Sequence, residues 1–582
     1  MYSRGYLVLM KIACHFIEQK IIQLFNTNWI MFLILLLLGS SICVFTKNEN
    51  SWDFSNYHYY NAFAFLNNRL NYDIVPASIN TFLNPLIDLP FYFIIEAFND
   101  NVPIAYALQG IWFGLLIFAF FKIVSLFFDV KTITGIGCLV LTVALGITGQ
   151  CIWFQAGSSS NEIPIVFLSC WALYNLFKMI KYPEMQGIWK FLISGLILGS
   201  ALGLKSTNIY VCVASGLSLI LCFQYLKHPI KFVFYFALGG SIGFLLTNGW
   251  WMLKLWDLYQ NPVFPFLNEI FKSPYFDNFN YTDTRFIPPD YLKFIFPYIW
   301  LKGEYKSAEM AFYDIRGIVY YSVALVFGGY LFLKPKRVKV FYQTSPLWCF
   351  LSVFLVLSYI LWLNVFSIYR YIGIIELFSA IFFVKLMIMC IPKGFLQKSV
   401  YVTICIIIVG ILLLVPMNST SWGHRLNDEK MVYMEPINLP KNTLLKLYSF
   451  PTAGVIPILA KQFDFRALGY IHINAVLMKG SEFVERNEFR KIRDKIEQEH
   501  NGPEILIGRI MYNLDNRPLI FNVMKKDLKG KYCRDLKNNL DSGLFICVPE
   551  ELKDVILQPV SPEDDKCDNC GFKLPIINQR RI

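Results

Sequence analysis

The chain has 582 residues, of which 55% are hydrophobic and only 16% charged, too few charges for an ordinary soluble domain, where about 25% is usual. Its formal net charge of +12 would suit nucleic acid if the basic residues gathered on one face. Instead they sit in short loops between apolar runs, as the positive-inside rule requires, which excludes a nucleic-acid partner and points to a polytopic helical membrane protein.

Segment 1–28 carries Arg4, Lys11 and Lys20 ahead of the first apolar run. No small-residue cleavage site follows that run, so the segment is expected to be cytoplasmic and the run itself an uncleaved span. About eleven crossings are expected, near 29–46, 104–127, 132–149, 163–180, 190–204, 208–226, 231–254, 317–334, 346–365, 371–391 and 399–416. With the N-terminus inside, the inner loops hold Lys131; Lys178, Lys181 and Lys190; Lys227 and Lys231; "KPKRVK" from Lys334; and Lys393 with Lys398.

The stretch "TFLNPLIDLPFYFIIEAF", Thr81 to Phe98, is oily enough to pass for a span. Counting it as one would flip every later lysine loop to the outside. It also contains Pro85, Asp88 and Pro90, which suit an interfacial or re-entrant helix better. It is therefore assigned to the first outer loop, 47–103. A second long outer loop follows at 255–316, and the apolar domain 29–416 gives way to a C-terminal extracytoplasmic domain, 417–582. There "NEFRKIRDKIEQEH" reads as a solvated helix, and "EILIGRI" and "SGLFICVP" as short strands of a small α/β fold.

Most of the 14 cysteines are scattered singly through spans, as small apolar filler. Cys533 and Cys547 lie beyond the last span and can pair in an oxidising compartment. Cys567 and Cys570 form either a second bridge or half a zinc site, and no second CxxC or HxxH completes four ligands.

Lys205, in "GSALGLKSTN", and Arg370, in "NVFSIYRYIGIIELF", break the lysine rule by lying at outer ends of spans. Ionisable groups at membrane depth cost a few kcal/mol on insertion scales and mark functional sites by default. Either they hold an anionic ligand, for which Arg and Lys suit phosphate, or they snorkel or pair with carboxylates such as Glu376. On the same side lie Asp53, Asp73 and Asp88 in the first loop and Glu162 in "QAGSSSNEIP". Asp73 reads as a solvated surface residue, whereas Asp88 has apolar neighbours. Asp53 precedes Tyr57, His58, Tyr59, Tyr60 and Asn61, groups that either bind sugars or form an interfacial belt.

The segments "WDFSNYHYYNAFAFLNNRLNYDIVPASINTFLNPLIDLPFY", "LGLKSTN", "NPVFPFLNEIFKSPYF" and "SIYRYIGIIELF" resemble, in that order, bacterial members of the GT-C superfamily of membrane glycosyltransferases. The resemblance covers most of 29–416. It implies an all-α polytopic membrane fold with juxtamembrane helices in the first outer loop, carrying the small α/β C-terminal domain in the periplasm of a bacterial inner membrane. It also implies transfer of a sugar from a polyprenyl-phosphate donor to a lipid or glycan acceptor on the outer face.

Asp53 matches the superfamily's first-loop aspartate, the general base, whose proton abstraction contributes roughly 10²–10⁴-fold. Partial desolvation at the interface favours a basic carboxylate. Lys205 and Arg370, with His58, would stabilise the leaving phosphate; Tyr57, Tyr60, Asp88 and Glu162 would contact substrate. Many members follow the first acid with a second one close by. Here Phe54 and Ser55 follow, and the first loop has no D-x-D, so neither a metal nor another cofactor is expected. Single displacement would invert the anomeric carbon. Two other readings handle similar lipids. A transporter or flippase often shows inverted repeats, and none is evident here. An O-antigen ligase or polymerase places its key outer loop late, whereas here the aromatic–acidic loop comes first.

Overall fold

The computed structural model describes residues 18–47, 51–279, 283, 285–298, 315–334, 336, 345–389, 429–470, 488–509, 527–541 and 543–557. The expected span 399–416 and the Cys567/Cys570 pair lie outside the described residues. The chain divides into two compact units. One comprises Met1–Asn48, Tyr106–Gly249 and Asp283–Trp422, the other Glu49–Ala105, Trp250–Thr282 and Gly423–Ile582.

The first unit is helical. Among the described residues six helices are long and apolar enough to cross a membrane: Asn28–Thr46, Val102–Phe127, Glu162–Lys181, Pro229–Tyr259, Ile315–Leu333 and Pro346–Val365. Shorter helices, Ile133–Ile147, Ile188–Leu204, Ile209–Leu221 and Gly373–Met389, occupy the remaining expected positions up to 391. Charge fixes the polarity of Glu162–Lys181, with Glu162 in its first turn and Lys178 and Lys181 in its last, each complementing the helix dipole.

The buried centre of this unit is aromatic: Phe177 meets Phe350 at 5.3 Å and Phe378 at 5.6 Å, both edge-on. Ile188–Leu204 packs so closely on the helix that begins at Pro229 that a Cβ on Gly199 would lie 1.9 Å from the Gly240 carbonyl oxygen. Small residues permit this approach where lipid offers no hydrophobic drive between helices.

The second unit draws on segments far apart in sequence. Its first loop opens with a π-turn, Phe54–His58, closed by Tyr59 N–H to the Phe54 carbonyl, and runs on as the helix Tyr59–Leu66. The extra residue of the π-turn stacks Phe54 on Tyr59, centroids 5.4 Å apart. The oily stretch near Thr81 is broken into short pieces: 3₁₀ turns Ser78–Phe82 and Pro85–Ile87, then a ten-residue helix, Leu89–Phe98. At about 1.5 Å per residue that helix spans roughly half a bilayer core.

The C-terminal segment forms a five-stranded sheet in the order β2-β1-β3-β5-β4. Its strands are β1 (Thr443–Tyr448), β2 (Phe465–Gly469), β3 (Glu504–Arg509), β4 (Lys531–Asp535) and β5 (Leu544–Pro549). β1 is parallel to β2 and β3; β5 is antiparallel to β3 and β4. "EILIGR" and "LFICVP" are thus strands, and Glu488–Glu499 is a helix. Every residue of β1 and β5 is buried, which explains their continuous rather than alternating apolar sequence.

Cys533 on β4 is disulfide-bonded to Cys547 on β5, directly across the pair. The first loop extends the sheet, since Ile74 bridges in parallel to Leu468 of β2. One core joins the three segments: Phe82 of the loop packs on Phe264 at 4.6 Å, and Tyr259 contacts both Phe264 and Phe489, at 4.8 and 5.7 Å.

Candidate functional site

Two polar constellations stand out, one in each unit. In the second unit Asp53 just before the π-turn, Asn56 and His58 within it, and Asn61 in the helix after it are all buried. Asp53 is 4% exposed although it follows the first span by only a few residues. His58 lies 2.6 Å from Asp88, Nδ1 to Oδ1, and its ring sits 4.1 Å from that of Tyr57. An imidazole held by a carboxylate in this way has its orientation fixed and its other nitrogen directed elsewhere.

The expectation for Asp73 is overturned. Rather than lying solvated on the surface it is 1% exposed, clamped by Arg69 through Nε at 2.7 Å and Nη2 at 2.8 Å. The Ala467 N–H and the Tyr60 hydroxyl donate to it as well, at 2.9 and 3.1 Å. Arg69 also donates to the Phe465 carbonyl at 2.8 Å. A buried carboxylate persists only with such partners; Arg69, four positions earlier, was the sequence signal for one. Burial presses the Arg69 guanidinium down, but its bonds to Asp73 outweigh that and leave it raised above its ordinary value. Burial, then the Asp73 charge, pushes the Tyr60 phenol well up. Tyr60 is therefore a protonated donor to the clamp, a supporting position.

The C-terminal domain also holds the π-turn. The Ser55 carbonyl accepts the Gly454 N–H at 2.7 Å, and the Ser55 hydroxyl donates to the Leu540 carbonyl at 2.7 Å. Sequence reasoning passed over Asn56, which stands in "DFSNYHYY" between the aspartate and the tyrosines. Its amide is 1% exposed, and neither Nδ2 nor Oδ1 has a hydrogen-bond partner among the described residues. Buried amides are rarely left so, because an unmet donor or acceptor costs about 1–3 kcal/mol.

In the first unit Lys205, Glu162 and Arg370 come together around Tyr371. Lys205 Nζ lies 2.5 Å from Glu162 Oε1, an ion contact, and donates to the Ser160 carbonyl at 2.6 Å. The same ammonium sits 6.0 Å from the Tyr371 ring centroid, and the Arg370 guanidinium 5.1 Å from it. Arg370 Nη2 also donates to the Tyr371 hydroxyl at 3.1 Å. The backbone beneath is fixed by buried polar groups: Gln155 Nε2 donates to the Arg370 carbonyl at 2.9 Å, and the Tyr210 hydroxyl to the Tyr371 carbonyl at 2.6 Å.

Ser158 and Ser160 share a hydroxyl–hydroxyl bond of 2.8 Å in the turn before Glu162. Glu376 accepts the Ile152 N–H at 3.1 Å and the Tyr369 hydroxyl at 3.0 Å. Tyr371 was missed by the sequence analysis, although its place beside Arg370 in "YRYIG" signals a cation–aromatic step. Arg316 was missed too. It is buried and donates to the carbonyls of Leu145 and Thr148, where the helix Ile133–Ile147 ends, a structural cap for exposed carbonyls.

Among the described residues no group of three or more His, Cys, Asp and Glu could hold a metal ion. No family profile matches this sequence, and no curated protein matches it. Among solved structures, the chain is similar to the crystal structure of ArnT from Cupriavidus metallidurans bound to undecaprenyl phosphate. The identity is 10%, the match covers 90% of this chain and 98% of that one, and the TM-score is 0.45.

Proposed function

We propose that this chain is a GT-C-type glycosyltransferase of a bacterial inner membrane, moving a sugar from a polyprenyl-phosphate donor to a lipid or glycan acceptor at the periplasmic face. The observation that carries the reading is the gathering of Lys205 and Arg370 on one aromatic ring. Two cations gathered on one ring in an apolar helical unit suit a phosphate that carries a long hydrocarbon tail, which brings charge and membrane affinity together. The order of motifs in the sequence narrows the class to lipid-phosphate donors.

Asp53 takes the proton of the acceptor hydroxyl as its oxygen attacks the anomeric carbon. The bond from that carbon to the phosphate oxygen breaks, the phosphate keeps the electron pair, and configuration inverts. Lys205 and Arg370 stabilise the charge that develops on the phosphate. His58, oriented by Asp88, and the unmet amide of Asn56 serve the sugar hydroxyls.

Purified protein in lipid, given radiolabelled polyprenyl-phosphate sugars and a membrane acceptor extract, tests this. Wild type should transfer label, while Asp53→Asn should transfer about 10²–10⁴-fold more slowly with donor binding kept. Equal transfer by the variant would remove Asp53 as base; donor translocation without transfer would favour a flippase.

A further inference from the structure

At the span ends that the lysine rule assigns to the cytoplasm, the lysines fall into two groups. Lys131, Lys190, Lys227 and Lys231 are exposed, as residues that set orientation or snorkel to water should be. Lys122, Lys178, Lys181 and Lys385 are half-buried instead. Lys122 and Lys178, from the helices Val102–Phe127 and Glu162–Lys181, share the Tyr174 ring, each ammonium 5.8 Å from its centroid. One turn beyond Lys122, Lys181 donates to the Leu126 carbonyl, and Lys385, of Gly373–Met389, donates to the Phe127 carbonyl at 3.3 Å. Lys178 and Lys181 are three positions apart, neighbours on one helix face, so the two pairs form a single cluster.

This cluster lacks a counter-charge. Among the described residues none of the four lysines forms an ion pair; Lys122 donates to Asn28 Oδ1 at 2.7 Å, and the other acceptors are backbone carbonyls. Asp129 and Glu184, carboxylates of the adjoining inner loops, are exposed, and Asp129 Oδ1 takes the Lys131 N–H at 3.0 Å. The carboxyl end of Val102–Phe127 lends only partial negative charge, and each ammonium has three hydrogens to place. Lys122 and Lys385 also fall inside expected spans, where an ionisable group marks a binding site by default. Basic pockets between helices on this side of a membrane suit the headgroups of acidic lipids.

We propose that the four lysines form a headgroup site for an inner-leaflet phospholipid with two phosphates, one for each lysine pair. Its acyl chains would lie against the apolar helices. A phospholipid with one phosphate brings a single charge and satisfies one pair only. The cluster lies at the opposite end of the twenty-residue helix Glu162–Lys181 from Glu162, about 30 Å away. It is therefore separate from the candidate donor site and stands whether or not that reading does.

Native mass spectrometry of the full-length protein in detergent, titrated with diphosphatidylglycerol or with phosphatidylglycerol, tests this. Wild type should bind the two-phosphate lipid about tenfold more tightly; equal affinity, or no binding, overturns the inference without recourse to any variant. Lys178→Gln combined with Lys385→Gln removes one charge from each pair and should weaken diphosphatidylglycerol about tenfold. Lys227→Gln combined with Lys231→Gln removes as much charge from exposed positions and should leave its affinity nearly unchanged. Equal losses in the two variants would reduce the cluster to diffuse surface charge, and no loss in the first would put the lipid elsewhere; either result overturns the site. Displacement of the lipid by millimolar inorganic phosphate would make it a site for the free ion, which overturns the lipid assignment as well.

Discussion

At the scale of single residues, its ring of donors marks Asp73 as a supporting charge. Asp73 has four donors around it, and breaking a buried pair leaves one charge uncompensated. Asp73→Ala should therefore destabilise the second unit by about 3–5 kcal/mol, read as a large drop in its unfolding midpoint. Arg69→Lys should not restore stability, because an ammonium cannot make the two-pronged contact. The clamp was half legible: Arg69 and Asp73 stand four apart, but the strand that completes it lies 394 residues away from Asp73. The Lys205–Glu162 pair was illegible for the same reason, since nothing local in "LGLKSTN" points to "SSSNEIP". Asn56 was visible but looked ordinary, because an amide among tyrosines gains meaning only once it is known to be buried.

At the scale of elements, the π-turn depends on a neighbour from the C-terminal domain. A Cβ on Gly454 would lie 2.7 Å from the Ser55 carbonyl oxygen, backbone against backbone, so Gly454→Ala must push the turn that begins just after Asp53. Overpacking of this kind costs about 1–3 kcal/mol. The expected result is a fall in kcat with donor affinity unchanged, measured as steady-state transfer alongside lipid binding; an unchanged kcat would show that the turn tolerates the shift. The Cys533–Cys547 bridge closes a separation of 14 residues, and a loop near that length is worth about 3 kcal/mol. Replacing both cysteines by serine should lower the melting temperature of the protein, and adding reductant to wild type should reproduce the shift. β3 and β5 were readable from "EILIGRI" and "SGLFICVP" because buried strands are continuous apolar runs. The π-turn was not readable, since one inserted residue leaves no mark in helical periodicity.

At the scale of the whole molecule, hydropathy made the helical character legible: helices stand at every expected position up to 391. Their lengths were less so, because the bounds depend on local breaks such as the π-turn Leu245–Gly249 inside Pro229–Tyr259. The lysine distribution predicts that the C-terminal domain lies outside. Alkaline phosphatase fused behind it should be active in cells and a green fluorescent protein in the same place dark; the reverse pattern would invert the topology. The joining of Arg69 and Asp73 to β2 also has a consequence in time. At about 5–20 residues per second, the ribosome needs roughly 20–80 seconds to make the 394 residues between Asp73 and Ala467. Throughout that interval the first loop has emerged, with its arginine and aspartate already present, but the edge strand that will receive them does not yet exist. The loop that carries Asp53 is thus among the first parts of the chain to be synthesised and among the last to be finished, and a nascent chain halted before β2 would carry every residue of that loop without its final shape.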